Sequence, residues 1–158
     1  MKKIVSICCL LASVFFAGCS SSRKAGKNPA GNWQLQTITT ENITGKFTSQ
    51  LFNDAGFNCF IGSSWQFNHN NSGSYTISKN GNECAAAKRN FHWVIYNPDT
   101  NAPKLLQFRR LDENLQEIAG DVDHRFTILQ MDDKIVKLQA DIISEGKPAS
   151  LVFNFVRN

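Results

Sequence analysis

The chain has 158 residues and a formal net charge of +4 at neutral pH. Within residues 31–158 the basic residues are scattered, with adjacent pairs at Lys88-Arg89 and Arg109-Arg110, whereas a nucleic-acid-binding protein concentrates such residues on one face. The length therefore suits one folded domain, and the charge pattern argues against a nucleic-acid partner.

The N-terminus is typical of a secretory signal peptide. A basic head at residues 1–3 precedes an uncharged apolar run at residues 4–16. At about 13 residues this run is shorter than the roughly 20 that a membrane-spanning helix needs. Ala17 and Gly18 then precede Cys19, and such small residues let a peptidase approach the backbone closely. We therefore expect cleavage just before this cysteine.

This cleavage site resembles the lipobox of bacterial lipoproteins. In that class residues 1–18 are removed, the Cys19 thiol receives a diacylglyceryl group, and its amine receives a third acyl chain. At about 0.8 kcal/mol per buried CH₂, several chains hold a protein stably on a membrane where one chain does not. The resemblance implies that lipid on Cys19 connects the protein to a membrane. The alternative is an ordinary cleaved signal with an unmodified Cys19.

Residues 19–30 carry the lipidated cysteine and a small, polar, basic segment without hydrophobic period, which predicts a flexible tether. The residue after the cysteine is Ser20 and not aspartate, which in enterobacterial lipoproteins is typical of sorting to the outer membrane. No acidic run follows the cysteine, and this favours the periplasmic face. We expect a cell-envelope protein on the outer membrane with its domain facing the periplasm.

Residues 31–158 are predicted to be all-β, because apolar and polar residues alternate with period two along eight short runs. Turn-forming residues separate the runs at hairpin spacing, so neighbouring strands should be antiparallel. Eight such strands can close into an up-and-down barrel that leaves no exposed edge. The runs lie at residues 33–37, 65–68, 75–78, 91–95, 106–109, 126–128, 135–143 and 151–156.

Two segments interrupt this alternation. Between the first and second runs, Phe47, Leu51 and Phe52 are spaced as on one face of a short helix within residues 43–57. We expect this helix to be a lid over the barrel, although it can equally plug the mouth or cover an edge. Residues 114–123 are predicted to form either a short helical turn or a long loop.

The cysteines predict a disulfide. Of five cysteines, two lie in the signal peptide and one is the lipidation site, so Cys59 and Cys84 remain. An even pair in an oxidising compartment usually forms a disulfide. A metal site with His69 or His92 and a redox pair are the alternatives, but the sequence has neither a C-x-x-C motif nor a paired-histidine spacing.

Three strand motifs together resemble the lipocalin-like lipoproteins of Bacteroidetes. They are G-x-W at residues 31–33, W-x-F at residues 65–67 and G-x-Y-x-I at residues 73–77. Domains of that family begin with G-x-W, and some carry a cysteine pair like the one here. The resemblance covers about residues 30–158 and implies a lipocalin-like barrel. A second lipocalin motif such as T-D-Y and the helix after the last strand are missing from this sequence.

In lipocalins the tryptophan of the G-x-W motif plugs one end of the barrel, and a basic residue from the end of the last strand stacks on it. The resemblance therefore implies that Trp33 is the plug and that Arg157 is its partner. A guanidinium on an indole face contributes about 0.5–2 kcal/mol. Both residues are accordingly expected to be structural and not ligand-binding.

The barrel interior is the candidate binding site. An eight-stranded barrel is just wide enough for side chains to fill it or for one small ligand, and 12 Phe, 3 Trp and 2 Tyr suit either case. An aromatic-lined calyx would bind a lipid, pigment or other apolar molecule, whereas a filled core would bind none. The inward candidates by parity are Phe67, Tyr75, Trp93, Phe108, Phe126, Phe153 and Phe155.

Enzyme motifs are missing from the sequence. It has no G-x-S-x-G elbow, no H-E-x-x-H and no Gly-rich phosphate loop. Asp121-Val122-Asp123-His124 contains a carboxylate–histidine pair, but without a nucleophile or a third ligand we interpret it as a solvated loop. We predict no catalytic residue, no metal site and no cofactor.

We therefore expect a membrane-anchored envelope lipoprotein that binds a small apolar or amphipathic ligand in a barrel calyx. The alternative is a side-chain-filled barrel that acts as a protein-interaction or structural module, with a partner that the sequence does not name. An open cavity would favour the first, and a contiguous exposed apolar patch would favour the second.

Replacing Cys59 with serine should lower the free energy of unfolding by a few kcal/mol without changing the fold. The chain-entropy model assigns on the order of 3.5 kcal/mol to a closed loop of about 26 residues. Denaturant unfolding of the variant measures the loss, and Cys84→Ser should give the same loss. If thiol titration of denatured, unreduced protein finds both cysteines free, the disulfide prediction is wrong.

Overall fold

The computed structural model describes residues 28–43, 47 and 49–158. The predicted signal peptide, the lipidation site at Cys19 and the tether up to residue 27 lie outside the described residues. Within those described ranges, no helix has the length and apolar character to cross a membrane.

Short strands account for most of the described chain. They are joined by tight turns and loops, and a helix of a single turn follows the third strand. The elements are β1 (Gly31–Glu41), β2 (Gln50–Leu51), β3 (Ala55–Gly56), α1 (Phe57–Phe60), β4 (Ser64–Phe67), β5 (Ser72–Ile77), β6 (Ala87–Tyr96), β7 (Leu105–Leu111), β8 (His124–Met131), β9 (Ile135–Ser144) and β10 (Lys147–Arg157).

The predicted antiparallel eight-stranded barrel is confirmed. Strands β4 to β9 each pair with the next strand along the chain, and β1 closes the barrel by pairing with both β4 and β10. Strands β2 and β3 form a separate two-stranded hairpin. The up-and-down order follows from short connections between neighbours, since antiparallel strands need no crossover.

Side chains alternate between the two faces of the barrel wall, as the sequence period predicts. In β7, for example, buried Leu106 and Phe108 alternate with the more exposed Gln107 and Arg109. The inward side chains of all eight barrel strands form one continuous core that is rich in aromatic rings. Burial of this face supplies the main favourable term for folding.

Two turns show how the sequence fixes strand pairing. Between β8 and β9, the Asp132 carboxylate accepts hydrogen bonds from the backbone amides of Lys134 and Ile135, both at 2.9 Å. Between β9 and β10, Glu145 and Gly146 have φ angles of 52° and 75°, which is the type I′ geometry that matches strand twist. Both connections are therefore tight hairpin turns, as the turn-forming residues between the predicted strands indicate.

One end of the barrel is closed by Trp33. The Arg157 guanidinium lies 4.3 Å from the centre of the indole ring, which is the contact that the lipocalin resemblance implies. The Trp33 indole N–H donates a 2.7 Å hydrogen bond to the carbonyl of buried Pro29. Gly31, at φ 136°, leaves the space that the Arg157 side chain occupies. Pro29 is therefore packed at the closed end of the barrel.

The short helix after the first strand is present, but its expected position is wrong. Phe47, Leu51 and Phe52 do not lie on one helical face. Leu51 ends β2, Phe52 begins the turn to β3, and the helix starts only at Phe57. The reason is local, because Phe52 and Asn53 both adopt positive φ angles, 56° and 51°, which interrupt a helix and suit a tight turn. Residues 44–46 and 48 lie outside the described residues.

The predicted disulfide is confirmed. Cys59 and Cys84 are joined with an S–S distance of 2.00 Å and a Cα–Cα distance of 5.4 Å. The bond connects α1 to the loop between β5 and β6. It therefore fixes the base of the β2–β3 hairpin against the barrel wall.

Replacing Trp33 with alanine should lower the free energy of unfolding by about 3–5 kcal/mol, because a fully buried large side chain is lost from the closed end. Urea denaturation measures the change. The control is Leu129→Ala on the outer wall, where the side chain is half exposed, and its effect should stay within about 0.5 kcal/mol. A loss below about 1 kcal/mol for Trp33→Ala would contradict its role as the plug.

Candidate functional site

The candidate site lies at the end of the barrel opposite Trp33, which we call the hairpin end. Here the β2–β3 hairpin, the β5–β6 loop and the β7–β8 loop meet above the aromatic interior.

The aromatic residues predicted to face inward all do so. Each is buried, and their rings contact one another across the barrel. Phe108 and Phe126 stack with ring centres 5.7 Å apart, and Phe126 meets Phe153 edge to face at 5.4 Å. The interior set is Phe67, Tyr75, Trp93, Phe108, Phe126, Phe153 and Phe155.

The β2–β3 hairpin inserts Phe52 into the centre of this interior. Its ring centre lies 5.0 Å from that of Phe108 and 5.8 Å from that of Phe153, so one side chain bridges different walls of the barrel. Leu51 is buried beside it, and Phe47 packs on Phe57 at 5.2 Å. The expected lid residues therefore act as a plug, with Phe52 filling the space that a calyx would leave open.

A buried polar cluster lies directly above Phe52. The Asp54 carboxylate accepts hydrogen bonds from the Tyr75 hydroxyl at 2.9 Å and from Arg89 Nε at 3.0 Å. Arg110 Nη1 lies 3.5 Å from the same carboxylate. The side chains of Asp54, Arg89 and Arg110 are only 10%, 15% and 11% exposed. Burial of charges on this scale is tolerated only with close partners.

The interpretation of residues 121–124 as a solvated loop is wrong for two of the four. The Asp121 side chain is 1% exposed and lies 3.3 Å from Arg110 Nε, and it also accepts a 3.4 Å hydrogen bond from Asn53. The His124 side chain is 13% exposed and packs between the rings of Phe52 and Phe108. Asp121 is held inside because Arg110 provides its partner. Val122 is exposed, and Asp123 pairs with Arg109 on the outer wall.

The surroundings of the cluster shift the pKa values of two of its members, His124 and Tyr75. Burial lowers the pKa of His124 below its usual value, with Arg110 acting in the same direction and Asp121 opposing it. The His124 Nε2 atom lies 3.6 Å from Asp121 and has no hydrogen-bond partner among the described residues. Burial and the neighbouring Asp54 raise the pKa of the Tyr75 hydroxyl, so it stays protonated and donates.

The alternation of inward and outward residues on β6 and β7 already indicates this cluster. Arg110 has the parity of Leu106 and Phe108 on β7, and Arg89 has the parity of Phe91 on β6. Extending the inward pattern by one step therefore places both arginines inside the barrel. Their charge argued for the surface, and only the contacts with Asp54 and Asp121 reverse that expectation.

The outer wall carries grooves as well. One of about 540 Å³ runs along the rim between the end of β1 and the β9–β10 hairpin, beside Glu41, Asp141 and Ile143. Two others of about 310 and 360 Å³ are lined mainly by polar side chains. Of the large apolar side chains exposed among the described residues, two lie on the β7–β8 loop, one on β8 and one on β9, and such exposed residues are ordinary on a protein surface. They are Leu115, Val122, Leu129 and Ile143.

Stability should fall as the pH is lowered from about 7 to 5. The unfolded His124 takes up a proton near pH 6.5, but the folded one does so only at lower pH. The unfolded state therefore binds more protons in this window, with a slope of up to about 1.4 kcal/mol per pH unit. His124→Phe should remove most of that slope in urea unfolding at several pH values.

The matched control is His92→Gln, an exposed position on the outer wall of β6. It should leave the slope unchanged. A slope that survives in His124→Phe, or that disappears in His92→Gln, would contradict the assignment to the buried histidine.

Among the residues that the structure describes, no group of three or more His, Cys, Asp or Glu is placed to hold a metal ion.

No protein family, curated protein or solved structure matches the chain. The eight-stranded barrel is therefore observed, whereas kinship with lipocalin-like lipoproteins remains a prediction from the motifs.

Proposed function

We propose that the protein binds a small amphipathic molecule inside the barrel, and that the β2–β3 hairpin is a displaceable plug. The observation that carries this proposal is the origin of the polar cluster. Its cations and its tyrosine belong to the barrel wall, whereas the carboxylate that satisfies them, Asp54, belongs to the inserted hairpin. An apolar chamber with a few convergent polar groups at its mouth is the usual design of a small-molecule site.

Stability alone does not explain the buried charges. Replacing a buried ion pair by well-packed apolar residues is often neutral or stabilising by about 1–4 kcal/mol. A barrel needing only a filled core would do as well with Leu or Phe at the positions of Arg89 and Arg110. Their retention at the mouth of the barrel supports a role in recognising the polar end of a ligand.

The geometry of the hairpin favours displacement of its tip. Phe52 holds a left-handed backbone conformation, which costs an L-residue roughly 1–2 kcal/mol. At its base the hairpin is fixed by the Cys59–Cys84 disulfide and by a 3.1 Å hydrogen bond from the Gly56 amide to the Glu83 carbonyl. The tip with Phe52 and Asp54 can therefore leave while the base stays in place.

The proposed setting is the outer membrane, with lipid on Cys19 holding the barrel near the bilayer on the periplasmic side. Amphipathic molecules concentrate at such a surface. A tether of about ten residues would keep the mouth of the barrel within tens of ångströms of it.

A filled barrel that acts through its surface is the second candidate. The packing of Phe52 across the barrel centre favours it, because the observed interior is occupied by the chain itself. The scattered exposed apolar residues provide no single docking patch in its support.

Binding of the uncharged fluorescent probe N-phenyl-1-naphthylamine distinguishes the two candidates. We expect saturable fluorescence enhancement with the purified protein, and about tenfold tighter binding to Phe52→Ala, because that variant no longer has to expel a ring. Circular dichroism checks that the variant is folded. The control is Phe155→Ala, which removes a core ring of the same size but leaves the hairpin intact.

Phe155→Ala should bind the probe like the unaltered protein. If neither the unaltered protein nor Phe52→Ala enhances the fluorescence, ligand binding is rejected and the filled barrel stands. If Phe155→Ala gains as much affinity as Phe52→Ala, the gain reports a core cavity and the plug role of the hairpin is rejected.

A further inference from the structure

We infer that the ligand is a single-chain amphiphile with one carboxylate, and that Asp54 occupies the place of this carboxylate in the closed barrel. The inference rests on the proposed function and names its ligand class.

The donors around Asp54 converge from three adjacent barrel strands. Tyr75 on β5 donates to Oδ2 at 2.9 Å, Arg89 on β6 donates through Nε at 3.0 Å to Oδ1, and Arg110 Nη1 on β7 lies 3.5 Å from Oδ1. Both carboxylate oxygens are therefore used. Charged hydrogen bonds of this kind are the strongest that side chains offer a planar anion.

These donors are held by the wall and not by the hairpin. Arg89 Nη1 donates to the carbonyls of Ala85 and Ala87, both at 2.8 Å. Arg110 is paired with Asp121 through its own Nε at 3.3 Å. The two guanidinium groups therefore keep their positions when Asp54 leaves, and they form a ready site for another carboxylate.

The hairpin presents its groups in the order of an amphipathic acid. The Phe52 ring lies deep among Phe108, Phe126 and Phe153, at 5.0–5.9 Å from their ring centres. Asp54, two residues further along, lies at the mouth. A ligand with its chain in the barrel and its carboxylate at the mouth would replace both side chains at once.

Charge fixes the number of anionic groups. In the closed state Arg89 and Arg110 are balanced by Asp54 and Asp121, while Tyr75 is a neutral donor. When Asp54 leaves, the site retains one excess positive charge in a buried setting. A monoanion restores the balance, an alcohol leaves a desolvated charge unpaired, and a dianion brings one negative charge too many.

The test compares decanoate, 1-decanol and decyl phosphate by isothermal titration calorimetry at pH 7.5, where the phosphate is mostly a dianion. We expect decanoate to bind the unaltered protein at least tenfold more tightly than either of the others. Asp54→Asn should tighten decanoate about tenfold or more, because the internal competitor loses its charge. Tyr75→Phe removes a donor from Asp54 in the closed barrel and from the ligand carboxylate in the open one, so it should leave decanoate nearly unchanged and tighten decanol about tenfold, because decanol then displaces a carboxylate that has lost one hydrogen bond.

The control variant is Arg125→Met, which removes an exposed arginine from the outer wall of β8 and should leave every affinity unchanged. Urea unfolding of each variant verifies that it is folded. If Asp54→Asn does not fold, Tyr75→Phe still tests the inference, because it keeps the aromatic ring in the core.

Equal affinity for decanoate and decanol would overturn the carboxylate site while leaving the proposed function intact. Tighter binding of decyl phosphate than of decanoate would overturn the single-charge assignment. If none of the three binds the unaltered protein or Tyr75→Phe, and N-phenyl-1-naphthylamine also fails to bind, the proposed function falls together with the inference. If the three amphiphiles fail to bind but the probe binds, only the inference is overturned.

Discussion

The pairing of β1 with both of its neighbours is the constraint on which the rest of the structure depends. Trp33 lies opposite Arg157 of β10 on one side and opposite Trp65 of β4 on the other. Because the sheet has no edge there, every inward side chain faces another wall, and the interior must be occupied. Trp33 fills the interior at the closed end, and the inserted hairpin fills it at the hairpin end.

The two ends of the barrel are filled by side chains that different chemical groups hold in place. Trp33 is held by a stacked cation and one hydrogen bond to the backbone, within a continuous stretch of packed chain. Phe52 packs among aromatic rings, and Asp54, two residues further along the same turn, is held by Tyr75 and Arg89. The Trp33 end of the barrel is therefore closed by a fixed part of the wall. At the hairpin end, an apolar ring fills the interior and a cluster of charged groups covers it. In the proposed function, a ligand with one apolar and one polar part takes the place of both.

The sequence was sufficient for the barrel because its signal is local. Alternation of apolar and polar residues with period two, interrupted by turn chemistry such as Asp132, defines strands and hairpins without knowledge of distant contacts. The hairpin was missed because the spacing of Leu51 and Phe52 suits a helix face as well as a turn, and positive φ at a phenylalanine has no sequence signature. The buried arginines were missed because burial depends on distant partners. Arg89 meets Asp54 across 35 residues of chain.

The disulfide at the base of the hairpin has a consequence for selectivity. In the proposed mechanism the Cys59–Cys84 disulfide would keep the displaced tip close to the mouth, so Phe52 and Asp54 would compete with a ligand at a fixed effective concentration. For short tethers this concentration is on the order of millimolar. By mass action, a ligand would displace the tip when its concentration, weighted by its affinity relative to that of the tip, exceeds this effective concentration. In the proposed mechanism the covalent bond therefore sets how concentrated a ligand of given affinity must be before the barrel opens.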